Sequence, residues 1–409
     1  MNRKQLTLLI VLAVALGGLG WLANQRRQSS FDQSKNRLGD KLLPNFPIND
    51  VAQFTIKQSK AETTLARKND IWTVAERDNY PANFSTISDF LRKFWELKVA
   101  KPVRVGPSRL AALELVAPDK GTGTLVEFKD GSGKVIKTVL LGAKHMRESA
   151  GGNDSPFGGG GGFPDGRYLM VGTDIATVSL VSEPFSNADP KPADWLNKDW
   201  FKVEKLKSVG VTTGEATNNW KLTRESETGE WKLADAKPGE TLDTGKSSGA
   251  TSALSYPSFN DVVIGTNAAA AMDKPITGAL ETFEGFSYTV KIKKADDENY
   301  NLQVDVAGNF PKERTPGKDE KAEDKDKLDK EFKDGLAKKD EKLKNEKAFA
   351  KWTYVVSKWT VDPLLKSRHE LLADKPAETK ADAKPETKAD VKPEVKAPAP
   401  LEIPGSLPK

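Results

Sequence analysis

The fold is indicated by two similar tetrapeptides, WTVA at residues 72–75 and WKLA at residues 231–234. Subtracting 72 from 231 gives an offset of 159 residues, and the same offset carries Val103 onto Val262 without a gap. Solenoid repeats have periods of roughly 20 to 50 residues, so a period this long is typical of duplicated domains. The repeat therefore predicts two related domains in tandem.

Alternating residues before the first tetrapeptide predict a sheet, and a periodic stretch after it predicts a covering helix. Phe54 and Ile56 alternate with polar neighbours, as expected where one face of a strand meets a core. A helix is predicted to begin at Ser85, which is a suitable capping residue. Its apolar residues recur at spacings of three and four and form one stripe: Ile87, Phe90, Leu91, Phe94 and Trp95. The predicted class is α+β, with antiparallel sheets each covered by an amphipathic helix.

The second copy repeats the hairpin pattern of the first. In the first copy, Val126 and Phe128 lead through a turn to a strand over residues 135–141. In the second, residues 286–292 and 302–306 alternate between apolar and polar, with an acidic turn at residues 296–298. Further short strands are predicted at residues 71–74, 168–171, 178–181 and 352–356, and short terminal helices at residues 194–201 and 364–372.

Composition divides the chain into a membrane anchor, a stalk, two folded domains and a tail. Hydrophobic residues make up 37% of the chain and charged residues 30%, which indicates solvated stretches beside folded ones. A Gly-rich loop at residues 151–166 interrupts the first domain. A Lys/Asp/Glu run at residues 311–347 is predicted to be a solvated helix, because Leu328, Phe332 and Leu336 recur every fourth residue. The predicted segments are 1–24 (anchor), 25–45 (stalk), 46–202 and 203–372 (domains), and 373–409 (disordered Lys/Pro/Glu tail).

The amino terminus carries the pattern of a single membrane-spanning helix. Arg3 and Lys4 precede an apolar run over residues 6–23, close to the shortest length that spans a bilayer. A cleaved secretory signal has a similar pattern, but no A-x-A site closes the run, which favours an uncleaved anchor. Basic residues on both sides, Arg26 and Arg27 included, nearly cancel the charge bias that sets orientation. We expect a single-pass protein of the bacterial inner membrane with most of the chain on the periplasmic side.

Residue types and spacings argue against the familiar catalytic motifs. The sequence has no cysteine, which excludes thiol catalysis and thiolate metal sites. TGKS at residues 244–247 resembles the end of a phosphate-binding loop, but Glu240 stands where that loop requires glycine. His145 and His369 are the two histidines, and neither has a partner at helical metal-ligand spacing. The sequence therefore predicts no catalytic residue, no cofactor-binding residue and no metal ligand.

Tryptophans are the main candidates for binding, although core packing explains several of them. Trp72 and Trp231 hold matching positions in the repeat, so each is expected to fill the same place in its own core. Trp195, Trp200, Trp352 and Trp359 lie near the predicted domain ends. They are expected either to pack the two domains together or to form a surface for a partner.

The order of these features resembles the bacterial family called domain of unknown function 4340. The similarity is carried by the anchor, the strand IWTV at residues 71–74, the amphipathic helix, a Leu-rich turn at residues 109–118 and the hairpin at residues 126–142. The similarity covers roughly residues 48–201 and continues more weakly to residue 372. Because family members are often associated with gliding-type ABC transporter components, the resemblance implies an accessory role beside a membrane complex. It carries over no catalytic residue.

Our first hypothesis is a non-enzymatic, membrane-anchored extracytoplasmic accessory or scaffold protein. Its expected partners are membrane lipid, contacted through residues 6–23, and a protein of a membrane complex such as a transporter subunit. Nucleic acid is not an expected partner, because 63 basic residues are nearly balanced by 58 acidic ones. A binding module for envelope glycan or lipid is the second hypothesis, and a hydrolase with an undetected site is the third.

Overall fold

A computed structural model describes residues 35–147, 163–265, 271–317 and 320–374. The predicted anchor, most of the Gly-rich loop and nearly all of the predicted tail lie outside these residues. Within the described part of the chain, no helix combines the length and apolar character needed to cross a membrane.

The first half of the described chain forms a nine-stranded antiparallel sheet covered by one helix. The strand order is β4-β3-β2-β1-β6-β7-β8-β9-β5. The strands are β1 (Gln53–Gln58), β2 (Ala61–Lys68), β3 (Ile71–Val74), β4 (Tyr80–Pro81), β5 (Lys101–Pro102), β6 (Thr124–Lys129), β7 (Val135–Arg147), β8 (Phe163–Val171) and β9 (Ser179–Val181), and the helix is α1 (Phe84–Glu96).

The second half forms an eight-stranded antiparallel sheet with three helices. Its strand order is β12-β11-β10-β14-β15-β16-β17-β13. The strands are β10 (Leu206–Thr212), β11 (Trp220–Thr223), β12 (Lys232–Leu233), β13 (Asp261–Val262), β14 (Ile276–Thr282), β15 (Phe286–Lys294), β16 (Asn299–Gly308) and β17 (Tyr354–Ser357), and the helices are α2 (Thr244–Thr251), α3 (Lys325–Lys347) and α4 (Lys358–Leu365).

The two sheets have the same strand order once β10 is matched to β1, apart from β4 in the first sheet. Hydrogen bonds at the helix starts match as well. The backbone N–H of Asn83 donates to Trp195 O at 2.8 Å, and that of Asp243 donates to Leu371 O at 2.9 Å. The α+β class with two antiparallel sheets is confirmed. The exact bounds of the two domains stay a prediction, because side chains from both sheets join one continuous hydrophobic core.

Helix α1 follows the predicted stripe with two corrections. Ile87, Phe90, Leu91 and Phe94 are buried, and the ring centroid of Phe90 lies 5.3 Å from that of Phe54 in β1. The capping residue is Asn83, whose side chain accepts from Thr86 N, so the prediction of Ser85 was wrong by two residues.

The second correction concerns Trp95, which remains 41% exposed. It lies at the edge of the apolar stripe, where the helix face turns toward solvent. Lys41 Nζ sits 4.3 Å from the centre of its ring. The ring is therefore covered by a cation and not by the core.

Three predicted segments have different conformations in the structure. Only Pro192–Trp195 is helical in the stretch predicted as a helix over residues 194–201, and it is a short 3₁₀ turn. Residues 163–166 of the predicted Gly-rich loop belong to β8, because they pair with β7. The predicted helix at residues 364–372 is divided between the end of α4 and a 3₁₀ turn at Arg368–Leu371.

Part of the predicted stalk packs on the first sheet. Leu42 and Leu43 are buried in the core. Gly39 N donates to Val99 O at 2.9 Å, and Leu42 N donates to Leu97 O at 2.9 Å. These contacts could not be predicted from the sequence, because the stretch is polar and its two adjacent leucines show no periodicity.

The charged run between β16 and β17 forms the predicted helix, α3. Leu328, Phe332 and Leu336 are half-buried along it. Near its end, Glu346 is only 6% exposed and accepts a 2.8 Å hydrogen bond from the Tyr288 hydroxyl. Burial raises the pKa of Glu346. The carboxyl end of α3 is therefore tied to the second sheet.

Candidate functional site: an open cleft beside a rigid joint

The two sheets meet at a joint formed by the turn after β3 and the edge strand β13. Arg77 Nε and Nη2 donate to the two carboxylate oxygens of Asp261 at 2.6 and 2.7 Å. Gly265 N donates to Asp78 Oδ2 at 2.9 Å. The Arg77–Asp261 pair is largely shielded from solvent, so its bidentate geometry fixes the register between the halves.

Aromatic side chains fill the joint next to this ion pair. The ring of Tyr80, in β4, lies edge-on to those of Trp352 at 4.9 Å and Phe259 at 5.9 Å. Trp200 packs at 4.7 Å from Tyr354 in β17. Burial raises the pKa of Tyr80 to about 12 and also raises the pKa of Tyr354, so both hydroxyls stay neutral near pH 7.

Lys198 closes the other side of the joint. Its Nζ donates to Asn260 O at 2.6 Å and lies 4.4 Å from the centre of the Phe259 ring. Burial lowers the pKa of Lys198. The segment between the two sheets is therefore fastened to the second sheet by a lysine at the edge of the joint.

An open cleft lies beside this joint, at the end of the second sheet where β17 passes into α4. Its volume is about 630 Å³, within the range of small-ligand sites. Trp359 forms part of its wall and is 63% exposed. The cleft is lined by Asn260, Asp297, Glu298, Asn299, Ser357, Lys358, Trp359, Asp362 and Pro363, and we call it the Trp359 cleft.

Backbone pairing holds the polar groups of the Trp359 cleft in place. Asn260 N donates to Val355 O at 2.7 Å, and Lys358 N donates to Glu298 O at 2.8 Å. The Asn260 amide group donates to Asn299 Oδ1 at 3.3 Å and to Ser357 Oγ at 3.2 Å. The amides are thus positioned by strands, which hold a site more precisely than loops do.

The acidic turn between β15 and β16 gives the cleft a negative rim. Hydrogen bonds from Asn299 and neighbouring backbone amides lower the pKa of Asp296. A hydrogen bond from Lys294 lowers the pKa of Asp297. Both carboxyls are therefore ionised at neutral pH.

Four tryptophans had roles that the sequence did not decide; three of them are packed and one is exposed. Trp195 is buried in the first sheet's core, while Trp200 and Trp352 lie in the joint. Trp359 faces solvent in the cleft. The sequence could not separate these roles, because all four lie close to predicted domain ends.

The repeated tryptophans hold matching strand positions but are buried to different degrees. Trp72 is buried, with its ring centroid 5.8 Å from that of Phe54. Trp231 is only half-buried and precedes β12, and the Arg224 guanidinium lies 4.9 Å from its ring centre. Each tryptophan stands two residues before the residue that pairs with the neighbouring strand, Val74 with Leu65 and Leu233 with Leu222, so the positions match, and Trp231 fills the core only in part.

The motifs set aside by the sequence have structural roles. TGKS forms the first turn of α2, where Ser247 Oγ donates to Asp243 O at 2.7 Å. His145 Nδ1 lies 2.6 Å from Asp165 Oδ1, and His369 Nδ1 lies 2.8 Å from Ser367 Oγ. Among the residues that the structure describes, no group of three or more His, Asp or Glu side chains is arranged to hold a metal ion.

Sequence reasoning missed the partners in the joint and the amides of the cleft. Arg77 and Asp261 are 184 positions apart, and neither lies in a motif. The only signal was the repeat itself, which matched Val262 to Val103. It did not show which edges of the two sheets would meet.

The fold and the joint define an α+β protein in which two sheets of matching strand order are fastened into one body. Residues 72–275 match the model of the family described as "Domain of unknown function (DUF4340)". The resemblance expected from the sequence is thus confirmed over this range, which runs from β3 past β13 and includes both Arg77 and Asp261. No curated protein and no solved structure matches the chain significantly.

Proposed function

We propose that the protein is a non-enzymatic, membrane-anchored scaffold that works outside the cytoplasmic membrane as an accessory to an ABC-type transporter complex. The observation that supports this proposal is the joint between the sheets. A bidentate ion pair and a buried aromatic cluster hold two equivalent modules in one fixed arrangement. Such an arrangement presents surfaces at a constant spacing, which suits a protein that positions partners.

The transporter partner is proposed from the family resemblance, and the anchor from residues 6–23 of the sequence. The two modules are proposed to have arisen by duplication, with bounds at residues 46–202 and 203–372. Their matched strand orders and matched helix-start hydrogen bonds support this origin.

The scaffold role can be tested by site-specific photocrosslinking in native membranes. A photoreactive residue is placed at Phe84, which is 66% exposed in the first half, or at Tyr256, which is exposed in the second. We expect membrane-dependent adducts that contain transporter subunits, identified by mass spectrometry. A probe at Lys60, on the exposed turn between β1 and β2, serves as the control. Recovery of the chain without adducts, in the soluble fraction, would contradict the proposal.

A second candidate function is the binding of envelope glycan or lipid. The observation that favours it is the exposed Trp359 in a cleft lined by polar side chains. Aromatic side chains that are apolar on one side and exposed to water on the other are frequent at binding surfaces. Binding of lipid or glycan to the full chain would be measured directly, without any transporter subunit present.

A further inference from the structure

We propose that the Trp359 cleft binds carbohydrate, and that it selects uncharged sugars and amino sugars over acidic ones. This inference deepens the second candidate function and is independent of the scaffold role. It rests on three features of the cleft: an exposed ring, a fixed set of amides and an excess of negative charge.

The first feature is the indole of Trp359, which leaves most of its surface in water. Exposing a large aromatic side chain has a cost that a bound ligand removes. The face of a pyranose ring that carries C–H bonds is apolar and flat, and it matches the negative face of an indole. Pro363 lines the same cleft and extends the apolar surface.

The second feature is the position of the amides beside the ring. Asn260 donates through its amide nitrogen to Asn299 and Ser357, so its carbonyl oxygen is the atom that it offers to a ligand. Sugar hydroxyls both donate and accept, and they pair well with amide and carboxylate groups. The two hydrogen bonds from its amide nitrogen already hold the Asn260 side chain, so little side-chain freedom is lost on binding.

The third feature is the charge of the rim. Asp297, Glu298 and Asp362 line the cleft and Asp296 lies in the same turn, whereas the nearby cations are Lys358 in the lining and Lys294, which pairs with Asp297 at 2.8 Å. An anionic ligand such as a uronic acid, a phosphate or an acidic lipid headgroup would meet net repulsion. A neutral N-acetylated sugar meets none, and a protonated amino sugar is attracted.

The test is a titration of the full-length protein in lipid nanodiscs with three oligosaccharides of similar length. N-acetylglucosamine tetramer represents neutral sugars, glucosamine tetramer represents amino sugars and galacturonic acid tetramer represents acidic ones. Binding is measured by isothermal titration calorimetry and by saturation-transfer NMR. We expect both hexosamine tetramers to bind and the galacturonate tetramer to bind at least about tenfold more weakly.

Variants locate the binding site and separate its features. Trp359→Ala is expected to weaken hexosamine binding by about tenfold or more, whereas Trp359→Tyr retains a stacking face and loses less. Asp362→Asn is expected to reduce the preference for glucosamine without affecting the N-acetylated tetramer. Trp95→Ala is the matched control, because that exposed tryptophan lies on α1, away from the cleft residues.

Two results would overturn the proposal. One is an absence of binding by wild-type protein at concentrations up to about 10 mM of either hexosamine tetramer. The other is equal affinity in wild type and Trp359→Ala. Neither result bears on crosslinking to a transporter, so the scaffold role can fail or succeed separately.

Discussion

Arg368 shows how a single buried cation organises the end of the second module. It is only 5% exposed, and its Nη1 and Nη2 donate to Asp235 Oδ2 at 2.8 Å and Glu240 Oε2 at 2.7 Å. Both carboxylates come from the turn that follows β12. A buried guanidinium without these partners would have a large desolvation cost, so the turn and the 3₁₀ segment of Arg368 depend on each other.

We expect this cluster to make stability depend on acid pH. Hydrogen bonding to Arg368 lowers the pKa of Glu240 from 4.5 to about 2. A depressed folded-state pKa gives a contribution that is complete above the unfolded pKa and is lost as pH falls toward the folded value. Wild-type protein should therefore lose stability between pH 4.5 and about 2, and Glu240→Gln should lose less over this window.

The measurement is the melting temperature of each protein, followed from neutral pH downward to about 2.5. Glu225→Gln is the control, because the Glu225 side chain is 91% exposed and lies 3.6 Å from its partner Lys232. The melting temperatures of wild type and Glu240→Gln should converge in acid. A constant difference at all pH values would contradict the assignment.

Arg77 is a second residue whose ion pair contributes to stability, and its pair links the two modules. Arg77→Ala leaves Asp261 without its bidentate donor in a partly buried place, and we expect a loss of about 2 kcal/mol in the free energy of unfolding. Arg92→Ala removes an exposed ion pair with Asp89 and should change the free energy of unfolding by less than about 0.5 kcal/mol. Urea unfolding of Arg77→Ala, of Asp261→Ala and of the double variant that combines them measures the coupling, with Arg92→Ala as the control. Additive effects of the two single substitutions would refute an energetic link across the joint.

Among the elements, helix α1 packs on the first sheet through a buried face at whose centre Phe90 lies. Phe90 is fully buried, and its ring contacts those of Phe54, Phe94 and Trp195 at centroid distances between 5.1 and 5.3 Å. Phe90→Ala removes these contacts and leaves a cavity, so we expect the free energy of unfolding to fall by about 3 to 5 kcal/mol. Phe84→Ala, on the exposed first turn of the same helix, should cost less than about 1 kcal/mol. Chemical denaturation measures the free energy of unfolding of both variants. Similar losses in Phe90→Ala and Phe84→Ala would disprove the packing argument.

The same comparison explains why α1 could be predicted from its own periodicity, whereas α2 was expected only as the covering helix of the second repeat. Ser247 and Ala250 stand in α2 where α1 has Ile87 and Phe90. Small residues allow α2 to pack closely on α4, and a Cβ at Gly249 would lie 3.5 Å from Pro363. Close packing by small side chains leaves no hydrophobic stripe, so periodicity does not reveal such a helix.

Long alternating strands were the most predictable elements. Every apolar residue of the predicted alternation in β15 is buried, from Phe286 to Ile292. Strands of two residues, such as β12 and β13, are too short to show a period of two. They close the edges of the sheet, and their positions follow from tertiary pairing.

For the whole molecule, the repeat predicted two equivalent modules but not their contact. The joint brings the turn after β3 against β13 and β17, and the Trp359 cleft joins segments near residues 260, 298 and 359. Strand register brings these distant segments together: Asp261 pairs with Val355, and Asn299 pairs with Ser357. Such pairings depend on global topology, whereas sequence patterns report local periodicity.

The joint should behave as one rigid element, and Tyr80 is its central side chain. Tyr80 is 3% exposed, with its ring against Trp352 and Phe259. Tyr80→Ala removes the ring and opens a cavity between the modules, so we expect them to move relative to each other. Tyr80→Phe keeps the ring and should preserve the joint.

Spin labels can measure this motion, because the chain has no native cysteine. Labels are attached after Lys60→Cys and Thr228→Cys, on exposed turns of the first and second sheets. Double electron–electron resonance should give a narrow distance distribution in wild type and in Tyr80→Phe, and a broad one in Tyr80→Ala. Tyr256→Ala, at an exposed tyrosine, is the control and should stay narrow. An equally narrow distribution in Tyr80→Ala would show that the ion pair at Arg77 holds the modules without the aromatic cluster, and the rigidity of the joint would then depend on charge alone.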